Sequence, residues 1–288
     1  MLLNFLKIAW RNLLRGKGFT LINITGLAAG MAAALLILLW VQNELSFDRD
    51  YVNSDRLYKS WCRGNTAAGI NCSDLTPSVL GPTLKTDYPE IERASRLGWD
   101  ESLLFTVGDK KIDITGVAAD TDFLPMFGFP LLKGDPETAL KDPNNIVLTQ
   151  KAAKALFGEA DAMGKTLRID NKYDYTVTGV MRDLPNNTQF DFEYLLPWKY
   201  LQWTHQDDSN WENNSTHNYI LLKPNADVAR LNAKIRHIYQ HHVKDVDPNE
   251  AFLYPVSRLH LYSKFENGSP SGGRIETVKA FFLIAVFI

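Results

Sequence analysis

A hydrophobic run from Phe19 to Gln42, FTLINITGLAAGMAAALLILLWVQ, passes twenty-four positions without one charge. A helix apolar on every face suits lipid rather than the surface of a soluble domain. At 1.5 Å per residue it reaches about 36 Å, enough to cross a hydrocarbon layer of about 30 Å with some tilt. Residues 19–42 are therefore read as a first transmembrane helix. The residues before it follow a different pattern. Leu2, Phe5, Leu6, Ala9, Leu13 and Leu14 recur at helical spacing, with Lys7, Arg11 and Arg15 around the other side. Residues 1–18 are thus expected to form an amphipathic helix on the inner membrane surface, anchored by Trp10, until Gly16 and Gly18 let the chain turn. A longer cytoplasmic end of the same membrane helix is the alternative. A second apolar run, Ala280 to Ile288, predicts that residues 278–288 begin a second membrane helix whose remainder lies beyond Ile288. A short tail packed on a globular domain is the competing reading.

Between the two runs, residues 43–277 alternate short strands and helices. Arg56–Arg63 reads as a strand and Thr76–Asp87 as a helix, with Pro77 in its first turn and Pro89 beyond its end. Leu103–Val107 and Lys111–Val117, joined across Gly108 and Asp109, read as a hairpin. Asp122–Phe127 is a short helix, Asn145–Leu148 a brief strand, and Gln150–Phe157 a helix ended by Gly158. Thr166–Ile169 and Tyr173–Asp183 follow as strands about a turn at Asp170 and Asn171. Asn218–Leu222 is a strand, Ala226–Val243 a long helix, and Phe252–Leu261 a last strand. The fold class is α+β, in two subdomains.

Charge orients the chain. Lys7, Arg11, Arg15 and Lys17 precede the first span without an acidic residue, whereas Glu44, Asp48 and Asp50 follow it. Positive charge stays on the cytoplasmic side, so residues 43–277 are expected in the periplasm of a bacterium, outside its inner membrane. A cleaved signal peptide is disfavoured by the length of the run and the lack of an A-x-A site. With 31 basic and 33 acidic residues and no basic cluster interleaved with aromatics beyond the first segment, nucleic acid is not an expected partner. Gly26 and Gly30 form a G-x-x-x-G pair that lets another helix approach closely, unless it is simply a small patch facing lipid.

Catalytic motifs fail one by one. Gly158, Gly164, Lys165 and Thr166 resemble a phosphate loop, but G-x-x-x-x-G-K-S/T needs glycine where Glu159 stands, and a helix precedes these glycines instead of following them. His237 and His241, with His242 adjacent, lack the glutamate of H-E-x-x-H and any completing ligand set. Asp207 and Asp208 lie in a polar loop, and no Ser, His and Asp arrangement emerges. No catalytic, cofactor or metal residue is expected. Cys62 and Cys72, on the side assigned to an oxidising compartment, are expected to form a disulfide contributing about 2–3 kcal/mol, with two free thiols as the alternative.

Four stretches in order, ITGLAAGMAAALLILLWVQNELSFD, VLTQKAAKALFGEADAMGKTLRI, YTVTGVMRDLPNNTQFDFEYLLP and GGRIETVKAFFLIAVFI, resemble the N-terminal part of a MacB/FtsX-type ABC transporter permease. The resemblance covers nearly the whole chain. It implies a Porter-like subdomain over residues 43–95 and 217–263, with a Sabre-like subdomain inserted at 96–216. It implies work by mechanotransmission: a partner ATPase dimerises on ATP, the membrane helices move, and the periplasmic domains respond without substrate crossing the bilayer. Glu44, Ser46 and Asp48 match the segment beyond the first helix and would carry that movement. The resemblance further implies a separate cytoplasmic ABC ATPase holding ATP and Mg, and a second permease copy, identical or related. A periplasmic adaptor with an outer-membrane channel is a further expected partner. Two other classes stay open: the periplasmic sensor domain of a transmembrane signalling receptor, and a membrane-anchored periplasmic enzyme.

Overall fold

In the computed structural model, which describes residues 2–67, 69–243 and 249–288, the chain divides into a helical unit, Met1–Ser46 with Gly273–Ile288, and a second unit, Phe47–Gly272. The chain opens with α1 (Leu2–Arg15) and α2 (Lys17–Ser46). Gly16 separates them, and the Thr20 hydroxyl donates to the Leu13 carbonyl, one of the acceptors that the end of α1 leaves open. α2 is long and apolar enough to cross a membrane, and Phe19, Leu21, Ile22, Leu27 and Leu36 on it are exposed. It continues four residues past Gln42, because Asn43, Glu44, Leu45 and Ser46 add a polar last turn.

The second unit then runs β1 (Leu57–Thr66), β2 (Gly69–Ser73), α3 (Leu80–Asp87), β3 (Ile91–Leu97), β4 (Glu101–Val107), β5 (Lys110–Ala119) and α4 (Phe123–Phe127). Next come β6 (Leu131–Lys133), β7 (Asn145–Thr149), α5 (Gln150–Phe157), β8 (Thr166–Ile169), β9 (Tyr173–Met181), β10 (Tyr194–Pro197) and α6 (Lys199–Trp203). The remainder is β11 (His217–Leu222), α7 (Val228–Ile235), α8 (Ile238–His242), β12 (Glu250–Pro255), α9 (Val256–Leu259), β13 (Lys264–Glu266) and β14 (Ser269–Gly272), after which α10 (Arg274–Phe287) rejoins the helical unit.

Two large strand systems share the second unit, beside a separate β13–β14 hairpin. β5, β4, β8, β9, β7 and β10 pair in turn, and β10 pairs back in parallel with β5 at Leu195↔Val117, so these strands close into a ring. Phe105, Ile114, Leu148, Leu167, Tyr175 and Tyr194 from these strands share one core with Ala152 and Leu156 of α5. Closure needs a close approach at Gly116, where a Cβ would stand 2.4 Å from the Tyr194 carbonyl oxygen. Gly116→Ala is accordingly expected to cost about 1–3 kcal/mol in urea unfolding of the detergent-solubilised chain; an unchanged midpoint would show that the strands can separate there without cost.

The other system is the antiparallel run β3, β11, β1, β12, joined to the ring at Leu97↔Ala119. Leu80 and Leu84 of α3, with Leu231 and Ile235 of α7, pack with Ile220, Leu222 and Leu253. The opposite side carries Leu57, Trp61, Tyr219 and Tyr254 against Phe123, Phe127, Phe129, Phe190 and Phe192. Edge-to-face pairs such as Phe127 with Phe190, 5.0 Å between centroids at 89°, add about 0.5–1.5 kcal/mol each beyond area burial.

Several expectations change. The helix expected over Ala226–Val243 is two helices, because the Arg236 carbonyl accepts from Ala251 N at 3.1 Å instead of continuing the helical ladder. The strand expected over Phe252–Leu261 stops at Pro255, which has no amide hydrogen to donate and leads into α9. β3 was not foreseen, since Glu92, Arg93 and Arg96 break its apolar alternation, and the α3 helix starts at Leu80 rather than Thr76.

The expected disulfide is also corrected. β1 and β2 form a hairpin in which Cys62 faces Ser73 and Arg63 faces Cys72. Directly opposed residues share a face and neighbours alternate, so the two sulfurs point to opposite sides of the hairpin. Both are free thiols; Cys62 is buried, and burial pushes its thiol up to about 11. Alkylation after unfolding without reductant should add two labels, with Cys62 protected in the native state. A protein that takes up no label until reduced would contradict this register.

Candidate coupling site

Glu44, Ser46 and Asp48 straddle the end of α2, and each unit holds its own part of the segment. In the helical unit Glu44 is 4% exposed. Its carboxylate accepts two bonds from Arg274, the first residue of α10: Oε1 from Nη2 at 2.8 Å and Oε2 from Nε. This planar fork is the arrangement arginine makes better than lysine. One turn earlier, the Trp40 and Phe281 rings lie 5.1 Å apart. The α10 helix therefore begins at Arg274, four residues before the expected Val278, because Glu44 supplies the partner that makes the arginine an asset there. Ser46 Oγ donates to the Asn43 carbonyl at 2.8 Å, closing the last turn. A Cβ on Gly30 would stand 3.4 Å from Ile288 Cγ2, whereas Gly26 has nothing within 4 Å. The G-x-x-x-G pair is thus split: Gly30 meets Ile288, just past α10, and Gly26 faces open space.

In the second unit, Asp48 adopts φ 56°, a left-handed conformation that aspartate tolerates better than most residues, and is 2% exposed. Its amide donates to the Asn187 carbonyl at 2.9 Å. Its Oδ1 accepts from Gln189 N at 2.9 Å and from the Tyr51 hydroxyl at 2.8 Å. Tyr51 Oη also bonds Thr188 Oγ1, and its ring stands edge-on to Phe127 at 5.0 Å. Asp48 Oδ2 is buried without a hydrogen-bond partner among the described residues. Burial raises the Asp48 pKa above the ordinary carboxylate value, against the bonds from Gln189, Tyr51 and Thr188. Phe47 stacks on His260 with centroids 3.6 Å apart.

Two of the four quoted stretches therefore meet: the FD of NELSFD is bonded to the NTQ of LPNNTQF. Arg274 of the fourth stretch meets Glu44 within the helical unit. Tyr51, Thr188, Gln189 and Arg274 were not singled out from sequence. For Thr188, Gln189 and Arg274 the available signal was their place inside those stretches, whereas Tyr51 lies three residues beyond the first of them. Elsewhere, Gly158 ends α5 and Thr166 opens β8, so the loop-like glycines flank a helix-to-strand turn. His237 lies between α7 and α8, and His242 stacks flat on Trp211 at 4.1 Å.

Comparison with known proteins follows the same lines. No curated protein matches the chain. Among solved structures, a domain of a protein described as a permease from Porphyromonas gingivalis is 21% identical with a TM-score of 0.61, over 81% of this chain and 99% of that one. The periplasmic region of MacB from Actinobacillus actinomycetemcomitans is 14% identical (TM-score 0.49), over 72% of this chain and 91% of that one. The extracellular domain of the noncanonic ABC-type transporter YknZ from Gram-positive bacteria is 12% identical (TM-score 0.49), over 68% and 99%. Residues 20–238 match the model of the MacB-like periplasmic core domain, so the chain belongs to that family.

Proposed function

We propose that this chain supplies the first membrane helix and the periplasmic domain of a permease subunit in an ABC transporter of the mechanotransmission type. A separate cytoplasmic ATPase binds ATP and Mg and does the hydrolysis. A second permease copy completes the membrane part, and a periplasmic adaptor with an outer-membrane channel is the partner for efflux. Membership of the family favours this reading over a signalling receptor.

The observation that carries the reading is the hold on Asp48. Two residues past the end of α2 the chain is already fixed by three hydrogen bonds to buried or half-buried groups. These bonds fix the direction in which the chain enters the domain, as passing on a movement of the helix would require. Movement of α2 would instead be passed through Phe47 and Asp48 into the Asn187–Phe190 loop, which carries Phe190 of the aromatic core. Glu44 and Arg274 would make α2 and α10 answer together. In the bilayer, the basic face of α1 would stay at the cytoplasmic surface.

The test reconstitutes the full-length permease with its cognate ATPase and joins the two periplasmic domains by a bifunctional thiol reagent on engineered surface cysteines. ATP-driven export should stop while nucleotide binding continues. Unchanged export by the joined protein would overturn the reading.

A further inference from the structure

Lys59 is the least expected side chain in the second unit. It lies in β1 between Tyr219 of β11 and Tyr254 of β12, on a face otherwise occupied by Leu57 and Trp61, and it is 4% exposed. Desolvating an ammonium is costly unless partners compensate. One partner is present: Asp74 Oδ2 accepts from Lys59 Nζ at 2.5 Å, and Nζ also stands 5.6 Å from the Tyr219 ring centroid. Burial lowers the Lys59 pKa, with Asp74 opposing. Burial, reinforced by Lys59, holds the neighbouring His217 at about 4, so its imidazole is neutral near pH 7.

Lys59 lines a cleft of about 320 Å³, a volume suited to a small molecule. Three kinds of surface meet there. The inner end presents donors: Lys59, and Gln189, whose Nε2 is buried with no partner among the described residues while its Oε1 accepts from Tyr219 Oη at 3.2 Å. The outer end carries two exposed carboxylates, Asp100 and Asp191. Both line the one cleft, and partial desolvation followed by the charge of Asp191 raises the Asp100 pKa. Trp99 lines the same cleft, 59% exposed yet tied by its Nε1 to the Ser215 carbonyl at 2.9 Å, together with the buried Phe190, Phe192 and Val117.

One cleft thus joins an ammonium of whose three donors Asp74 occupies only one, an orphan amide, two exposed carboxylates and aromatic walls, a set that complements a zwitterion. We infer that this cleft binds a zwitterionic ligand of amino-acid to dipeptide size, its carboxylate on Lys59 and Gln189 and its ammonium at Asp100 and Asp191. Any apolar side chain would lie against Trp99. A purely cationic ligand would leave the Gln189 amide unsatisfied and offer Lys59 nothing beyond Asp74, and a purely anionic one would face the exposed carboxylates without compensation. Gln189 gives the ligand a route to the rest of the molecule, since its own amide donates to Asp48. The site itself does not depend on the permease reading, and its test involves no transport.

The test titrates the detergent-solubilised full chain with L-leucine, L-phenylalanine and L-alanyl-L-leucine, following tryptophan fluorescence and calorimetric heat. N-acetyl-L-leucine, which lacks the ammonium, and L-leucinamide, which lacks the carboxylate, are the matched controls. At least one zwitterion should bind saturably at millimolar concentration, and both controls should bind at least about tenfold more weakly. Lys59→Met should lose at least about tenfold in affinity. Because that residue is buried, Asp100→Asn with Asp191→Asn on the exposed side is the second variant, expected to weaken binding at least about threefold with an unchanged melting temperature. Absence of binding by all three zwitterions, equal binding of leucine and leucinamide, or full affinity in both variants would overturn the proposal.

Discussion

Asp48→Ala should uncouple the protein: ATP-driven work by the reconstituted complex falls to background while the chain still inserts and still recruits its ATPase. The substitution removes the acceptor of Gln189 N and of Tyr51 Oη in a site that is almost fully buried. Orphaning such donors costs about 1–3 kcal/mol, so the second unit should be weakened without being unfolded. Asp48→Asn separates charge from geometry, because it keeps an oxygen for the two donors and removes the ionisable group. The sign follows from the raised pKa of Asp48. A carboxyl held above its ordinary value stabilises the fold while protonated, and that contribution is lost as pH rises through the folded value. Asp48→Asn should therefore gain stability relative to the native protein as pH climbs from about 4, the ordinary carboxylate value, towards neutrality. Thermal melts across that range check it, and a gap moving the other way would mean that the aspartate is held as a stabilised anion.

The second large effect concerns Glu44 and Arg274. Reversing one charge, as in Arg274→Glu, sets two carboxylates against each other where one is 4% exposed. Like charges held together in a poorly solvated place repel strongly. The single reversal should lower ATP-driven work at least about tenfold, and Glu44→Arg combined with Arg274→Glu should restore it to within about threefold. Failure of the double reversal, with both single reversals harmless, would assign the pair to surface decoration. Since the Arg274 side chain is half-exposed, loss of the attraction alone is worth only about 1 kcal/mol. The large effect comes from the repulsion, which is why reversal is more telling than alanine.

How far these features were legible from sequence depends on how local their causes are. The α2 span, the β4–β5 hairpin, the turn at Asp170 and Asn171, and α5 with its closing Gly158 are written in short-range patterns, and they appear where the patterns put them. The ring of strands is different. Its closure depends on β10 reaching β5 across more than seventy residues, and no window of sequence contains that contact. The break between α7 and α8 likewise comes from a bond to β12, and the opposed faces of Cys62 and Cys72 from a register invisible in their spacing. Glu44, Ser46 and Asp48 could be picked out because they follow a membrane span in a familiar stretch. Their partners could not, because Arg274 lies 230 residues from Glu44 and Gln189 lies 141 from Asp48. Lys59 lies unmarked within the strand expected over Arg56–Arg63; only burial between two tyrosines makes it unusual.

The measurement that bears most directly on the proposed function places one spin label on the exposed surface of each periplasmic domain in the reconstituted complex with its ATPase. The distance between labels is then recorded with and without ATP. If this chain passes movement through Asp48, ATP should shift the distance distribution in the native protein and leave it unshifted in Asp48→Ala. A native protein that shows no shift, or an Asp48→Ala variant that shifts just as far, would contradict transmission through this segment.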